Sequence, residues 1–386
     1  MTRSADRTII MLTDKMSKKS GGRTISMFRR AKLFTSMGCK VYIATMDDKS
    51  NYQDIFAFLC EKMDCKGLGF LNPYAYYNEE EIRSFSDEDD MIEHWIAAID
   101  RKYGKPVFFI ESHLNQEQVL DNRYADQKLK TVAMIHSNIF DKPYVKGSPQ
   151  RAYYKKVLDR WSDYNAVVTL TNQCAEDIRS IYPGCDNLYA IPHPLPRPLL
   201  KRLSAKRQRH LIVVCSRYTR IKRLLHIIKA FRLVVDQVPD AKLVFYGEGE
   251  KREAMEDLVR SLDLQKSVTI DKFVSDPLKA FGTAEVTVIT AMYEGLAMTI
   301  NEALFMGTPV VSYDFLYGPG EYIVNGENGY IVENGNKEAL AQAVIRIFKD
   351  PDLSKRLSKN AYHSKNVPSD DELKDLWGKL FSDVFN

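Results

Sequence analysis

The sequence predicts an α/β protein built from two Rossmann-like, doubly wound domains. Its 386 residues exceed what one hydrophobic core fills, since single cores stop growing near roughly 250–300 residues. Short β-branched apolar runs alternate with longer amphipathic stretches, as in a parallel sheet whose strands are connected by helices. The alternation restarts after residues 192–210, a segment rich in proline and positive charge that is typical of an interdomain connection.

The first predicted domain opens with a strand, a glycine loop and a helix. The apolar run at 8–12 is the strand, and Gly21 and Gly22 follow it in the loop. Apolar residues then recur on one helical face until Gly38 ends the helix. Further strands of this domain are predicted at 40–45, 106–110, 131–135, 166–170 and 189–191.

The second predicted domain repeats this order. A strand at 211–215 leads through a loop into a helix at 224–234, and a later helix begins at about Met298. Its other strands are predicted at 242–246, 267–270, 286–290 and 309–312. Open parallel sheets bind ligands beyond the carboxyl ends of their strands, and most of the candidate site residues lie at such positions.

Two carboxylates form the first candidate site. Glu294 lies in the loop after the strand 286–290, and Glu302 lies in the first turns of the helix that follows. Both can accept hydrogen bonds from the hydroxyls of a sugar nucleotide, whereas an isolated pair would more simply be a helix-start acid and a solvated loop residue. Unpaired N–H groups at the helix start suit an anionic or hydroxyl-rich ligand, and they belong to Gly295, Leu296, Ala297, Met298 and Thr299.

Two cations form the second candidate site. Arg217 and Lys222 flank the loop between the first strand and the first helix of the second domain. Fixed there, they would stabilise the negative charge that develops on a diphosphate leaving group and would do the work of a metal ion. Taken alone, they are more simply a solvated surface pair.

The first domain offers weaker candidates. Gly21 and Gly22 allow the backbone to approach a phosphate closely, or they form a simple turn. His136 directly follows the strand 131–135, where it can donate a hydrogen bond to a sugar hydroxyl or to the reacting centre, or can be structural. The acidic run 87–90 contains an Asp-x-Asp spacing that suits a divalent metal, but a solvated acidic loop is the favoured interpretation.

Together, these features resemble the retaining glycosyltransferases of family 4. The resemblance covers nearly the whole chain and depends on EGLAMTINE with its Glu-x7-Glu spacing, on Arg217 followed by Lys222, and on His136. It implies the glycosyltransferase-B fold, in which two Rossmann-like domains face a central cleft. It also implies that Glu294 contacts the hydroxyls of the donor sugar and that Glu302 contacts the ribose.

The resemblance also implies roles for larger parts of the chain. Residues 1–195 would form the acceptor-side domain, and residues 196–367 the nucleotide-sugar-binding domain. The amphipathic last helix, within 368–386, would cross back to pack in the core of the first domain. The base, expected to be uridine, would be held by Lys272 and Phe273 after the strand 267–270.

A narrower likeness is found in AMIHSN, VVTLTNQCAEDI, AIPHPLP and YDFLYGPGEYIVNGENGYIV. These segments resemble the poly(polyol phosphate) α-glycosyltransferases that decorate wall teichoic acids in Gram-positive bacteria. The chain is shorter than those enzymes and lacks their extra β-rich insertion. Where family 4 often has Gly-Phe-Gly or Gly-Phe-Pro, this sequence has Gly295-Leu296-Ala297.

The expected function is transfer of a hexose, glucose or N-acetylhexosamine, from a UDP-sugar to a hydroxyl of a cell-envelope glycopolymer such as teichoic acid. No metal and no other cofactor are expected. A catalytically silent partner subunit, a nucleotide-sugar epimerase, and a transferase acting on a protein, lipid or capsular glycan are the alternatives. Basic clusters fit an anionic acceptor or acidic lipid heads, or are solvated helix faces: Lys15, Lys18, Lys19, Arg23, Arg29, Arg30, Arg151, Lys155, Lys156 and Arg160.

Composition limits the location and the partners. A formal net charge of +4 is too small for a dedicated nucleic-acid binder. The six cysteines include no C-x2-C pair, and neither a signal-peptide apolar region nor a stretch of about 20 apolar residues is present. A cytoplasmic protein is therefore expected, with peripheral contact at the inner membrane face as an alternative. Homo-oligomerisation stays open.

Overall fold

The computed structural model describes residues 7–13, 16, 22–46, 51–111, 116–137, 149–195, 207–272, 274 and 276–385, with the backbone alone at 149–153. The chain divides into two compact units. The first unit comprises Met1–Pro194 together with Ser369–Asn386, and the second unit comprises Leu195–Pro368.

The strands are numbered in chain order. They are β1 (Thr8–Thr13), β2 (Lys40–Thr45), β3 (Gly69–Leu71), β4 (Val107–Ile110), β5 (Lys130–Met134), β6 (Ala166–Thr169), β7 (Leu188–Ala190), β8 (Leu211–Cys215), β9 (Lys242–Tyr246), β10 (Val268–Asp271), β11 (Thr287–Ile289), β12 (Val310–Tyr313) and β13 (Gly329–Val332).

The helices are numbered in the same way. They are α1 (Gly22–Ser36), α2 (Tyr52–Lys62), α3 (Pro73–Tyr76), α4 (Glu79–Ser84), α5 (Glu88–Lys102), α6 (Gln116–Leu120), α7 (Pro149–Asp159), α8 (Asn172–Ile181), α9 (Leu224–Gln237), α10 (Arg252–Ser261), α11 (Pro277–Thr283), α12 (Met298–Phe305), α13 (Pro319–Tyr322), α14 (Lys337–Lys349), α15 (Pro351–Tyr362) and α16 (Asp370–Phe385).

The first unit contains a parallel sheet. Within the described residues it has seven strands in the order β3-β2-β1-β4-β5-β6-β7. Every residue of β1, β4 and β6 is buried, which explains why these strands are continuous apolar runs with no polar alternation. The short edge strand β3 was not predicted, because three half-buried residues carry no periodic signal.

The second unit contains two three-stranded parallel sheets, β10-β9-β8 and β11-β12-β13, among the residues described. A parallel bridge between Ile212 and Val286 places β11 beside β8, and the Thr287 hydroxyl donates to the Val213 carbonyl at 2.6 Å. The two sheets therefore continue one another. Strand β13 was not predicted, because it begins with a glycine, Gly329, and glycine is uncommon in strands. The position needs glycine, since an added Cβ would lie 2.1 Å from the Val310 carbonyl oxygen.

Helix α16 packs in the core of the first unit. Its Trp377 and Phe381 are fully buried, and both rings meet Phe34 of α1 nearly edge-on, with centroids 4.9 and 5.0 Å away. Phe109 of β4 lies 5.8 Å from Trp377. This aromatic cluster joins the end of the chain to its first helix and to the centre of the sheet.

Replacing Trp377 by Ala should lower the free energy of unfolding of the first unit by about 3–5 kcal/mol, because a fully buried aromatic side chain leaves a cavity. The chain has three tryptophans, Trp95, Trp161 and Trp377, all in the first unit, so tryptophan fluorescence during urea unfolding reports on that unit alone.

Leu376→Ala is the matched control on the same helix. Leu376 is 40% exposed, so its truncation should cost well under 1 kcal/mol in the same urea titration. Equal unfolding midpoints for Trp377→Ala and Leu376→Ala would contradict the packing described here.

Candidate functional site

Two loops meet at the carboxyl ends of β8 and β11 in the second unit. The Met292 amide donates to the Ile221 carbonyl at 2.8 Å. The Thr290 hydroxyl donates to the carbonyls of Lys222 and Arg223, at 2.9 and 3.1 Å. These bonds bring the loop that carries the predicted cations together with the loop that carries the predicted carboxylate Glu294.

Lys222 and Glu294 form an ion pair. The Lys222 ammonium donates to Oε1 of Glu294, and the two side chains are only 20% and 18% exposed. Partial withdrawal from water strengthens the pair and holds each side chain in one position. Oε2 of Glu294 makes no hydrogen bond among the residues described, so it can accept one from a ligand hydroxyl.

Arg217 lies earlier in the same loop, directly after β8. Its side chain is exposed and makes no hydrogen bond or ion pair within the described part of the chain. One cation in this loop is therefore engaged by a carboxylate, whereas the other can meet an anionic ligand.

Arg223 clamps the two loops, and it was not singled out from the sequence. Its guanidinium donates to the carbonyls of Thr290 and Ala291, both at 2.7 Å, and to the side-chain oxygen of Asn334 at 2.6 Å. It also lies 5.1 Å from the centre of the Tyr313 ring. The residue has φ 49° and ψ 41°, a left-handed conformation that costs a non-glycine residue about 1–3 kcal/mol. The clamp offsets that cost.

The amino end of α12 lies after the Glu294 loop. Ala297 occupies the position before the helix, and an alanine side chain cannot accept a capping hydrogen bond. Ala297 has φ −73°, which needs no glycine, so the difference from the family pattern carries no backbone strain. Gly318, with φ 128°, packs against Ala297, where an added Cβ would lie 3.4 Å from the Ala297 Cβ. Gly295, Leu296, Met298 and Thr299 lie around this end. The expectation that the Met298 amide is unpaired was wrong, because it donates to the Leu296 carbonyl at 2.8 Å.

Glu302 is buried one turn into α12 and faces the end of β8. Burial raises the pKa of the Cys215 thiol well above its usual value, and the nearby Glu302 charge raises it further. The carboxylate therefore lies beside the same strand end from which the Arg217 loop departs.

Two glycines and a tyrosine, all missed from the sequence, shape the neighbouring loops. An added Cβ at Gly247 would lie 1.8 Å from the Ser216 carbonyl oxygen, so only glycine fits where the loop after β9 meets the loop after β8. Gly249 approaches the Tyr218 carbonyl in the same way. The buried Tyr218 hydroxyl donates to the Asp271 carbonyl at 2.7 Å, at the end of β10.

The predicted base-binding residues follow β10 directly. Lys272 is exposed, and its amide donates to the Asp271 side chain at 2.7 Å. The parallel order β10-β9-β8 places Lys272 at the same sheet edge as Arg217. Phe273 lies outside the described residues.

The first unit holds a buried cluster of four residues at the carboxyl edge of its sheet. His136 follows β5, and one of its ring nitrogens, Nε2, lies 2.9 Å from Oε2 of Glu111, which follows the adjacent β4. Arg30 of α1 donates to Oε1 of Glu111 and lies 3.4 Å from Nδ1 of His193. Of the four, the sequence indicated His136 as a site residue and Arg30 as a member of a basic cluster. The four residues are far apart in the sequence, and only the fold brings them together.

Burial governs the charges in this cluster. It lowers the pKa of His136 and lowers that of His193 well below the usual value. Burial raises the pKa of Glu111, but Arg30 and His136 outweigh it, so the net pKa of that carboxyl lies below its usual value. The cluster therefore contains an ionised Arg30–Glu111 pair beside two neutral imidazoles.

The expectation of a basic patch that includes Arg30 was wrong, because that side chain is fully buried against Glu111. Gly22 is the first residue of α1 and lies in a helix instead of a loop. Arg23 and Arg29 are half-buried on α1. The remaining predicted members at this end of the chain, Gly21, Lys15, Lys18 and Lys19, lie outside the described residues.

The second basic cluster is paired with acids on the surface. Lys155 bonds Asp159, and Lys156 lies 3.6 Å from Glu117. The two terminal nitrogens of Arg160 bond Asp121, both at 2.6 Å, and its Nε bonds Asp163. These charges are largely neutralised locally. The side chain of Arg151 lies outside the described residues.

The acidic run 87–90 begins α5 and is not a solvated loop. The Asp87 side chain accepts from the Asp90 amide at 2.8 Å and caps the helix. Asp90 is itself buried, and a hydrogen bond from the Tyr124 hydroxyl holds the pKa of its carboxyl well below the usual range. Helix capping therefore uses these carboxylates. In the described ranges, no group of three or more His, Cys, Asp or Glu side chains could hold a metal ion.

Residues 199–364 match the family model described as glycosyl transferases group 1. The chain is 30% identical over 295 residues to a poly(glycerol-phosphate) alpha-glucosyltransferase of Bacillus subtilis (strain 168), covering 76% of this chain and 43% of that protein. It is 24% identical over 316 residues to a poly(ribitol-phosphate) alpha-N-acetylglucosaminyltransferase of Staphylococcus aureus (strain COL), covering 80% of this chain and 58% of that protein. The chain thus spans about half the length of these relatives.

Solved structures confirm the fold. A TarM mutant of S. aureus, crystallised with Fondaparinux, alpha-GlcNAc-glycerol and UDP, superposes with a TM-score of 0.86 at 16% identity, covering 97% of this chain and 99% of that one. The fold is the glycosyltransferase-B fold, as the sequence predicted. Along the described parts of the chain, no helix is long and apolar enough to cross a membrane.

Replacing Arg223 by Gly should loosen the Glu294 loop without backbone strain, because glycine adopts the left-handed conformation freely but cannot clamp. Hydrogen exchange measured by mass spectrometry over residues 288–294 should rise about tenfold or more, since each lost hydrogen bond contributes about 1 kcal/mol.

Arg220→Ala is the control in the same short turn. The Arg220 side chain is exposed, and the residue bonds the neighbouring Glu250 through its backbone amide. Its exchange pattern over 288–294 should match that of the unmodified protein. If Arg223→Gly left protection of this loop unchanged, the clamp would have no role in ordering it.

Proposed function

We propose that this protein is a retaining glycosyltransferase of family 4 that transfers a hexose from a UDP-sugar to a hydroxyl of a cell-envelope glycopolymer such as teichoic acid. The observation that carries this proposal is the Lys222–Glu294 pair, held beside Arg217 and the uncapped end of α12 at one sheet edge. This edge combines cations and N–H groups for a diphosphate with a carboxylate oxygen for a sugar.

Each group of the second unit then has a role in donor binding. Arg217, Lys222 and the amide groups at the start of α12 stabilise the diphosphate. Oε2 of Glu294 accepts a hydrogen bond from a sugar hydroxyl. Glu302 accepts one from the ribose, and Lys272 lies beside the uracil base.

The transfer breaks the bond between the anomeric carbon and the diphosphate oxygen, and UDP leaves with the electron pair. Arg217 and Lys222 stabilise that charge, so the proposed step needs no metal ion. The acceptor oxygen bonds the anomeric carbon on the same face and passes its proton to the departing phosphate. Glu294 is engaged by Lys222, which argues against its use as a covalent nucleophile and favours a same-face displacement.

The acceptor is proposed from the likeness to the two polyol-phosphate transferases. An anionic poly(polyol phosphate) chain is the first choice. Because the described basic residues of α7 are paired with acids, we do not assign the acceptor to that helix. His136 in the first unit is proposed to hydrogen-bond a hydroxyl of the substrate. We place the protein in the cytoplasm, where nucleotide sugars are made.

Lys222→Ala should lower kcat by about 100-fold or more, because a fixed charge that stabilises the leaving group is lost. It also leaves Glu294 without its partner, so UDP-sugar binding is measured separately by calorimetry. Lys229→Ala, an exposed lysine on α9, is the control and should keep full activity. Normal turnover in a folded Lys222→Ala protein would contradict the role of Lys222 in stabilising the leaving group.

UDP release from a panel of UDP-sugars should depend on a polyol-phosphate acceptor and should persist in EDTA. Release with one sugar would identify the donor, and the proton spectrum of the product would show an α linkage if the configuration is retained. If no UDP-sugar in the panel released UDP and none bound in calorimetry, the result would contradict the proposed function.

A further inference from the structure

The buried cluster of the first unit fixes the chemistry of one ring nitrogen. We infer that Glu111, held by Arg30, is a positioning residue that keeps the His136 ring in a single tautomer, with the proton on Nε2 and a free lone pair on Nδ1. Arg30 and Glu111 are 1% and 0% exposed in their side chains, so water does not compete for these contacts.

Arg30 sets the direction of the hydrogen bonds in this cluster. A guanidinium stays protonated and can only donate, so its bond to Oε1 requires Glu111 to accept. Because that carboxyl is ionised, it has no proton to give from its other oxygen, Oε2. Nε2 of His136, 2.9 Å away, must therefore be the donor.

The protonation state of the second ring nitrogen of His136, Nδ1, follows from that of Nε2. The buried imidazole is neutral at neutral pH, since burial lowers its pKa, so it carries one proton, and that proton is on Nε2. Nδ1 is then an acceptor. It is buried and makes no hydrogen bond within the part of the chain described. The backbone amide of His136 donates to the Tyr154 hydroxyl at 3.2 Å, which anchors the residue from its other side.

The same arginine orients the second imidazole. Nη1 of Arg30 lies 3.4 Å from Nδ1 of His193, and because Arg30 only donates, this nitrogen accepts and the proton of His193 is on Nε2. The two rings stack at 24°, with centroids 5.5 Å apart. Arg30 therefore determines the tautomer of both rings. It acts on His193 directly and on His136 through Glu111.

The role of this tautomer in catalysis rests on the proposed function. The sequence suggested that His136 donates a hydrogen bond to the substrate. The cluster instead makes it an acceptor, so it would receive a hydrogen bond from a hydroxyl of the sugar or of the attacking acceptor. A ring held in this way orients the hydroxyl oxygen without carrying a positive charge.

Nitrogen NMR on the 386-residue chain with ¹⁵N-labelled histidine tests the tautomer directly. Long-range proton–nitrogen spectra distinguish a protonated from an unprotonated ring nitrogen, and His136→Gln identifies the signals among the seven histidines. The unmodified protein should show His136 only as the Nε2–H form at neutral pH. An Nδ1–H form or an imidazolium would overturn the inference.

Glu111→Gln tests the positioning role. The amide keeps the shape, but its oxygen must accept from Arg30, so its NH2 group faces Nε2 of His136 and must donate. The Nδ1–H tautomer of His136 should therefore appear, and kcat should fall about 100-fold with KM little changed. Because an uncharged partner leaves Arg30 buried alone, a second variant, Arg30→Met with Glu111→Gln, removes the charge as well. Without Arg30 the amide can either donate or accept, so the double variant should show both tautomers of His136 even if the single variant folds poorly.

Asp90→Asn is the matched control, since Asp90 is another buried, hydrogen-bonded carboxylate of the first unit. It should lower the unfolding midpoint and leave the His136 signals unchanged. A single Nε2–H tautomer that persists in both Glu111 variants would overturn the positioning role. A tautomer that changes as expected, in a protein that turns over no UDP-sugar, would support the positioning role and count against the proposed function.

Discussion

Parallel strand pairing is the constraint on which the rest of this structure depends. Every pairing between described strands is parallel, so the carboxyl ends in each sheet lie along one edge. Strands β1, β4 and β6 are buried along their whole length, and the candidate site residues follow strands at that edge. Glu111 and His136 meet because β4 and β5 are neighbours. Arg217 and Glu294 reach a common edge because β8 lies beside β11.

Hydrogen bonds to backbone groups then convert that common edge into a defined site. The loop after β8 contains only a short 3-10 turn at Arg220–Lys222, and Arg223 joins it to the loop after β11 through the carbonyls of Thr290 and Ala291. Arg223 adopts a left-handed backbone conformation, from which its side chain reaches both carbonyls. Local strain is thus retained where it orders the neighbouring Lys222–Glu294 pair, as is common at functional sites.

The ion pairs of the two units differ in how far they are buried. In the first unit, Arg30 and Glu111 form an ion pair that is almost wholly removed from water, and the pair sets the hydrogen-bonding direction of two imidazoles. In the second unit, the Lys222–Glu294 pair keeps about a fifth of its surface exposed, so a ligand can still reach it. Complete burial suits a positioning role, whereas partial burial suits direct contact with a charged substrate.

The sequence by itself determined the fold class, because apolar runs and helical periodicity report burial directly, and it indicated Glu294, Lys222 and His136 through their places after strands. It could not indicate Arg30 or Arg223. Arg30 reads as one member of a basic run on α1, and only packing reveals that it points inward, 81 residues away in sequence from its partner Glu111. Tertiary structure decides such pairings because burial and partner choice depend on which elements lie side by side, which residue type and local spacing do not record.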